Sequence, residues 1–349
     1  MDTDEPTPYA VHMRWSLPIG RVLGFEVRLH WTLLIGALFL ILASTSFTGR
    51  IGITLLLLGL AASVLCHEIG HAIMARRHGI PVGPIVLTPV GGIAPMENMC
   101  REPKIEMQVA LAGPVVSLLL GGILWALAEF TGNEFPLLWL ALANAAFGAF
   151  NLVPAFPLDG GRVLRASLAM RMPLVAATRW STRIGRFLAL LFVAAAWFHA
   201  MWWLALMGVF MYFAGRTEEL SVQVRSFLHS RTARDVMQYT NRVLPAALRV
   251  HEGLDMAKRT SQRLFPVCFG DRPMGLISID TLMEALASGQ GDHGVSQCMH
   301  RDFLVSAPSE PLAQLLQRMV SLDTPSALVM EDGQPVGVVA LDEVLQATH

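Results

Sequence analysis

Residues 51–77 read IGITLLLLGLAASVLCHEIGHAIMARR, an apolar run with His67, Glu68 and His71 set inside it. As a helix the run is long enough to cross a bilayer, which takes about 20 apolar residues. His67 and His71 then stand at i and i+4, on one face, close enough to share one metal ion. Glu68, beside the first imidazole, is placed to act as general base on a water polarised by that metal. Ionisable side chains are costly at membrane depth, so three within one turn mark a functional site. In a soluble chain the same pattern is often a surface helix, but lipid offers these groups no solvated face.

The rest of the composition agrees with a membrane location. The chain has 349 residues, 53% hydrophobic and only 15% charged, against about 25% charged in soluble domains. A net charge of -1 carries no polyanion-binding signature, which excludes nucleic acid as a partner. Cys66, Cys100, Cys268 and Cys298 show neither metal-ligand spacing nor a disulfide framework. Cys66 adjoins His67 but points about 100° away from it on a helix, so it is not read as a ligand. The first 27 residues are mixed and polar and do not read as a cleavable signal peptide.

Apolar runs predict spans near 30–49, 51–76, 106–129 and 136–156. The nearly unbroken stretch 187–215 reads as the remaining two, with His199 at a turn between them. The fifth span alternatively starts near Leu174, with Arg179, Arg183 and Arg186 on a polar face. Six spans are expected. Of the 26 Lys and Arg, 14 fall within residues 1–215. With a cytoplasmic N-terminus, only Arg50 of these lies in an outer loop. This places both termini inside, and His67 and His71 toward the inner end of the second span. Residues 81–98 (PVGPIVLTPVGGIAPMEN) cannot continue a helix and read as a membrane-associated β-hairpin or a plain connector. A strand edge there, at Gly91 and Gly92, could pair with an extended substrate.

Two histidines leave a catalytic metal short of a protein ligand. Asp159, in NLVPAFPLDGGR (151–162), is the only carboxylate between Glu134 and Glu218. It lies at the inner end of the fourth span, level with His71, after Pro154 and Pro157 have broken the helix. Asp159 is read as the third ligand; its alternative role is N-cap of the next helix. Glu97, Glu102 and Glu106 are rivals. Asn144 and Asn151 share one face of the fourth span, and either hydrogen-bond a neighbouring helix or position the substrate backbone.

HEIGH (67–71) and NLVPAFPLDGGR (151–162) together resemble the two signature motifs of the site-2 protease family of intramembrane zinc metalloproteases. LTPVGGIA (87–94), LAGPVVSLLL (111–120) and RVLGFEVRLHWT (21–32) resemble further family elements in the same order. The resemblance covers about residues 14–217. It implies zinc held by His67, His71 and Asp159, with Glu68 as base. It also implies a membrane-embedded protein substrate, such as a membrane-tethered transcription regulator, in a bacterial or archaeal cell membrane. The competing reading is a metal or ion transporter, but transport has no need for Glu68 beside the first ligand.

The C-terminal part carries an internal repeat of 62 residues: Met237 matches Met299, Gly275 matches Gly337, and Asp280 matches Asp342. It resembles a pair of CBS motifs, which implies a regulatory or dimerising α/β module and ATP or another adenine nucleotide as ligand. Ser278, Asp280 and Asp342 are the candidate nucleotide contacts, although both acids fall one position earlier than the motif requires. The expected organisation is a cytoplasmic or interfacial segment 1–27, a transmembrane zinc metalloprotease domain 28–217, a linker 218–231 and a tandem CBS domain 232–349, with a homodimer formed through the last.

Overall fold

A computed structural model describes residues 15–344, apart from 45, 90, 97–101, 133–134, 241, 271 and 343. The chain divides into two compact units, Met1–Leu220 and Ser221–His349.

The first unit holds strands β1 (Ser16–Val22), β2 (Phe25–His30), β3 (Ile85–Thr88) and β4 (Gly91–Ile93). Its helices are α1 (Trp31–Ala43), α2 (Phe47–Arg77), α3 (Pro103–Thr131), α4 (Leu137–Asn151), α5 (Asp159–Ala169) and α6 (Leu174–His199), with α7 (Trp202–Ser230) carrying the chain onward. Among the described residues, three helical stretches are long and apolar enough to cross a membrane: Gly49–Arg77, Pro103–Thr131 and Leu174–Phe198. Helices α1 and α4 are apolar but have only 13 and 15 residues. At 1.5 Å per residue they reach about 20 and 22 Å, short of the ~30 Å hydrocarbon core. Length and composition thus support three of the six expected spans among the described residues. The long C-terminal run divides where α6 ends, at a left-handed Ala200. Helix α6 starts at Leu174, the earlier of the two starts considered.

The four strands form one sheet in the order β1-β2-β3-β4, with β2 and β3 parallel and the other pairs antiparallel. Residues 81–98 thus contribute two strands to a sheet whose other half comes from residues 16–30. Side chains alternate across a strand, and Phe25 and Val27 of β2 join Ile85 and Leu87 of β3 on one face. That face packs on Ile69 and Ala72 of α2. The sheet therefore lies against the turn of helix that carries His67 and His71. Arg76 closes this corner, stacking 4.4 Å from the Phe25 ring centroid and donating to the Leu23 carbonyl.

The second unit shows the 62-residue repeat as an exchange between halves. The first half contains α8 (Ala233–Val236), β5 (Gln238–Tyr239), β6 (Leu244–Pro245), α9 (Val250–Ala257), β7 (Leu264–Phe269), β8 (Arg272–Ser278) and α10 (Ile279–Ala287). The second contains α11 (Val295–Cys298), β9 (Leu304–Ser306), α12 (Leu312–Ser321), β10 (Ser326–Glu331) and β11 (Gln334–Ala340). Gln238 pairs with Val338, and the equivalent positions His300 and Leu276 pair with each other. Thr232 with Pro311 and Gly294 with Arg249 repeat the pattern. The start of each half is thus bound to the body of the other. Bulges recur at Val267/Cys268 and Val329/Met330, 62 residues apart.

The matched glycines and methionines form this exchange. A Cβ on Gly337 would lie 2.5 Å from Met237 Sδ, and one on Gly275 would lie 2.6 Å from Met299 Sδ. Gly337→Val should therefore cost about 1–3 kcal/mol through overpacking, read as earlier thermal loss of hydrogen-exchange protection in β10 and β11. Unchanged protection would contradict the exchanged packing.

Candidate metal centre

Two helices bring the polar groups together. Helix α2 supplies His67 and His71 on one face. Helix α5 supplies Asp159 at its first residue; its N-cap is Leu158, with no side-chain cap bond. Asp159 therefore does not act as a cap, and its carboxylate faces the two imidazoles. His67 Nε2 lies 3.1 Å from Asp159 Oδ2, His71 Nε2 lies 3.2 Å from the same oxygen, and the two Nε2 atoms are 3.1 Å apart. His67, His71, Asp159 and Glu68 are 2%, 5%, 8% and 9% exposed. Among the described residues this is the one cluster of three that could hold a metal ion.

The partners on the far side of each ring decide what the cluster needs. His71 Nδ1 lies 2.7 Å from the Val109 carbonyl, which can only accept, so Nδ1 carries the proton and Nε2 presents a lone pair. His67 Nδ1 lies 2.9 Å from the buried Ser117 hydroxyl, which can accept from it in the same tautomer. With both rings in that tautomer, two nitrogen lone pairs and a carboxylate oxygen face one another. A cation resolves that repulsion. A tetrahedral zinc with ligands at about 2.0–2.1 Å spaces neighbouring ligand atoms roughly 3.3 Å apart, close to the distances here. The donor set and its spacing therefore fit zinc.

Helix α3 makes the room. A Cβ on Gly113 would lie 2.2 Å from His71 Nε2 and 2.7 Å from His67 Nε2, so any side chain there would occupy the cluster. The sheet reaches the same place from the other side. A Cβ on Gly92 would lie 2.1 Å from Glu68 Cγ, so the β4 backbone rests on the Glu68 side chain. The Phe147 ring of α4 lies 4.8 Å from the His67 ring.

Other sequence candidates separate from the cluster. Asn144 donates to Ser63 Oγ at 2.9 Å and to the Leu140 carbonyl, so it ties α4 to α2 one turn before His67. Asn151 donates to the Phe147 carbonyl at 3.0 Å. Glu106 pairs with Arg165, Glu102 is exposed at the start of α3, and Glu97 lies outside the described residues. Cys66 is exposed and is not part of the cluster. In the second unit, Ser278 caps α10 by accepting from the Thr281 amide, Asp280 is exposed in the first turn of α10, and Asp342 is exposed just after β11. Gly113, Ser117 and the Val109 carbonyl were not singled out in the sequence. The Gly113-Pro114 pair inside an apolar helix was the available signal for the first.

Ser117→Ala should weaken zinc binding about 10–100-fold in chelator competition, as loss of a ligand's outer hydrogen bond commonly does. Ser63→Ala, which removes only the partner of Asn144, should leave the affinity unchanged. Equal effects would show that Ser117 does not orient His67.

Comparison with known proteins gives the family. The model of peptidase family M50 matches residues 55–135 and 128–192, and the CBS domain model matches residues 295–349. Zinc metalloprotease MJ0392 of Methanocaldococcus jannaschii is 29% identical over 96% of both chains. Rip3 of Mycobacterium tuberculosis is 32% identical over 95% of this chain and 92% of its own. A solved structure of the site-2 protease from Methanocaldococcus jannaschii shares 31% identity, covering 59% of this chain and 95% of its own with a TM-score of 0.45. The chain therefore belongs to peptidase family M50, the site-2 protease family of zinc metalloproteases.

Proposed function

We propose that this chain is an intramembrane protease that hydrolyses a peptide bond in or near a transmembrane segment of a membrane-bound protein. One observation carries the reading. The His67, His71 and Asp159 ligand atoms converge beside Glu68 within a helical unit that contains stretches long and apolar enough to span a membrane. His67, His71 and Asp159 would hold zinc, which supplies Lewis acidity and lowers the pKa of water toward about 7. Glu68 takes a proton from the attacking water and delivers it to the departing amide nitrogen. Gly91 and Gly92, on the outer strand of the described sheet, pair with the substrate in extended form and place its backbone over Glu68. Asn151 is assigned to the substrate backbone; Asn144, bonded to Ser63, is assigned to helix packing.

The positive-inside count supports six spans with both ends cytoplasmic, the shorter α1 and α4 being accommodated by local thinning or by flanking interfacial residues. The substrate class is a membrane-tethered regulator of transcription. Residues 232–349 form a tandem CBS pair that regulates the enzyme and joins two copies. Both halves follow one pattern of exchanged pairing, although the family model matches only the second. Because Ser278 caps its own helix, adenine nucleotide at Ser278, Asp280 and Asp342 is the ligand reading with the least support. The transporter reading is set aside because it gives Glu68 no role.

Cleavage of a candidate single-span regulator tests the assignment. Glu68→Gln should abolish cleavage with zinc still bound, because Gln cannot accept the proton and leaves the ligands intact. Asp159→Ala should lose both cleavage and zinc, while Glu102→Ala loses neither. Full turnover by Glu68→Gln would remove the proposed base.

A further inference from the structure

Arg165 lies on α5, six residues beyond Asp159, and is 1% exposed. Its Nε and Nη2 both donate to Glu106 Oε1 on α3, Nε at 2.8 Å. Its Nη1 donates to Glu218 on α7. The Phe156 ring, in the loop that leads into Asp159, lies 5.1 Å from the guanidinium carbon. Glu106 is fully buried.

A buried ion pair is a poor source of net stability, because desolvation of both charges offsets their attraction. What it supplies is direction: the guanidinium is a planar fork whose donors meet partners only at fixed angles. The elements it joins are the ones that build the metal centre. Helix α3 orients both imidazoles, through the Val109 carbonyl and Ser117. Helix α5 carries Asp159. It has 11 residues, or about 16 Å at 1.5 Å per residue. A helix this short, with no side-chain cap, depends on tertiary ties for its rotation and register. Arg165 is such a tie, and it fixes α5 to the helix that already fixes His67 and His71.

We propose that Arg165 is a positioning residue for the metal centre. It holds α5 where Asp159 meets the two imidazoles, with Glu106 and Glu218 as its anchors. The inference rests on the zinc-site reading above. It assigns to Glu218 a role that its neighbour does not share. Glu219 bonds Arg186 at 2.7 Å and Thr182 at 3.2 Å, both on α6.

That contrast supplies the test. Full-length protein and the variants Glu106→Gln, Glu218→Gln, Glu219→Gln and Arg165→Lys are loaded with cobalt(II) in place of zinc. Visible spectrum, metal affinity and cleavage kinetics are then compared. Glu106→Gln and Glu218→Gln should shift the ligand-field bands, weaken metal binding about tenfold, and lower kcat more than KM. Arg165→Lys should behave like them, because it keeps the charge and loses the fork. Glu219→Gln removes the same charge from the same helix and should leave the spectrum and affinity at the parent's values. Equal effects of Glu218→Gln and Glu219→Gln, or parent-like spectra in all four variants, would overturn the positioning role. Absence of stoichiometric metal from the parent would overturn the zinc-site reading and this inference with it.

Discussion

His67, His71 and Asp159 put three electron-rich atoms within 3.2 Å of one another in a buried, mostly apolar setting. Without a cation that arrangement is repulsive, and burial leaves the repulsion poorly screened. The surrounding structure serves this constraint. Helix α3 meets both outer ring nitrogens, keeps the inner ones aimed at the centre, and omits a side chain at Gly113. The sheet packs on Ile69 and Ala72 and brings β4 onto Glu68. The broken chain after α4 turns Asp159 inward, and the Arg165 ion pairs hold the short helix that follows.

Much of this centre was readable from the sequence because its signals are local. The i,i+4 spacing of His67 and His71 defines one helix face, and their setting in an apolar run removes the surface alternative. Asp159 stood out because lipid depletes carboxylates and a long stretch holds no other. Its outer support was not readable. The Val109 carbonyl is backbone, Ser117 is an ordinary small residue in a helix, and Glu106 and Arg165 are 59 residues apart with nothing local to pair them. The N-terminal strands were missed because β1 mixes apolar residues with Pro18, Gly20 and Arg21, and its partner β2 runs directly into α1. Helix lengths were overstated where an apolar run continues past a break: residues 152–156 are apolar or prolyl, yet the helix stops at Asn151.

The second unit shows the same division. Its repeat was visible because Met237, Gly275 and Asp280 recur at one period. The exchange between halves was not, because a repeat does not say whether equivalent parts pack within or across copies. Met237 against Gly337 and Met299 against Gly275 show that they pack across.

X-ray absorption at the zinc edge of the zinc-loaded protein tests the central claim most directly. The account predicts nitrogen and oxygen ligands alone, at about 2.0–2.2 Å, with two imidazole contributions. A sulfur shell near about 2.3 Å, placing Cys66 or another thiolate on the metal, would contradict it.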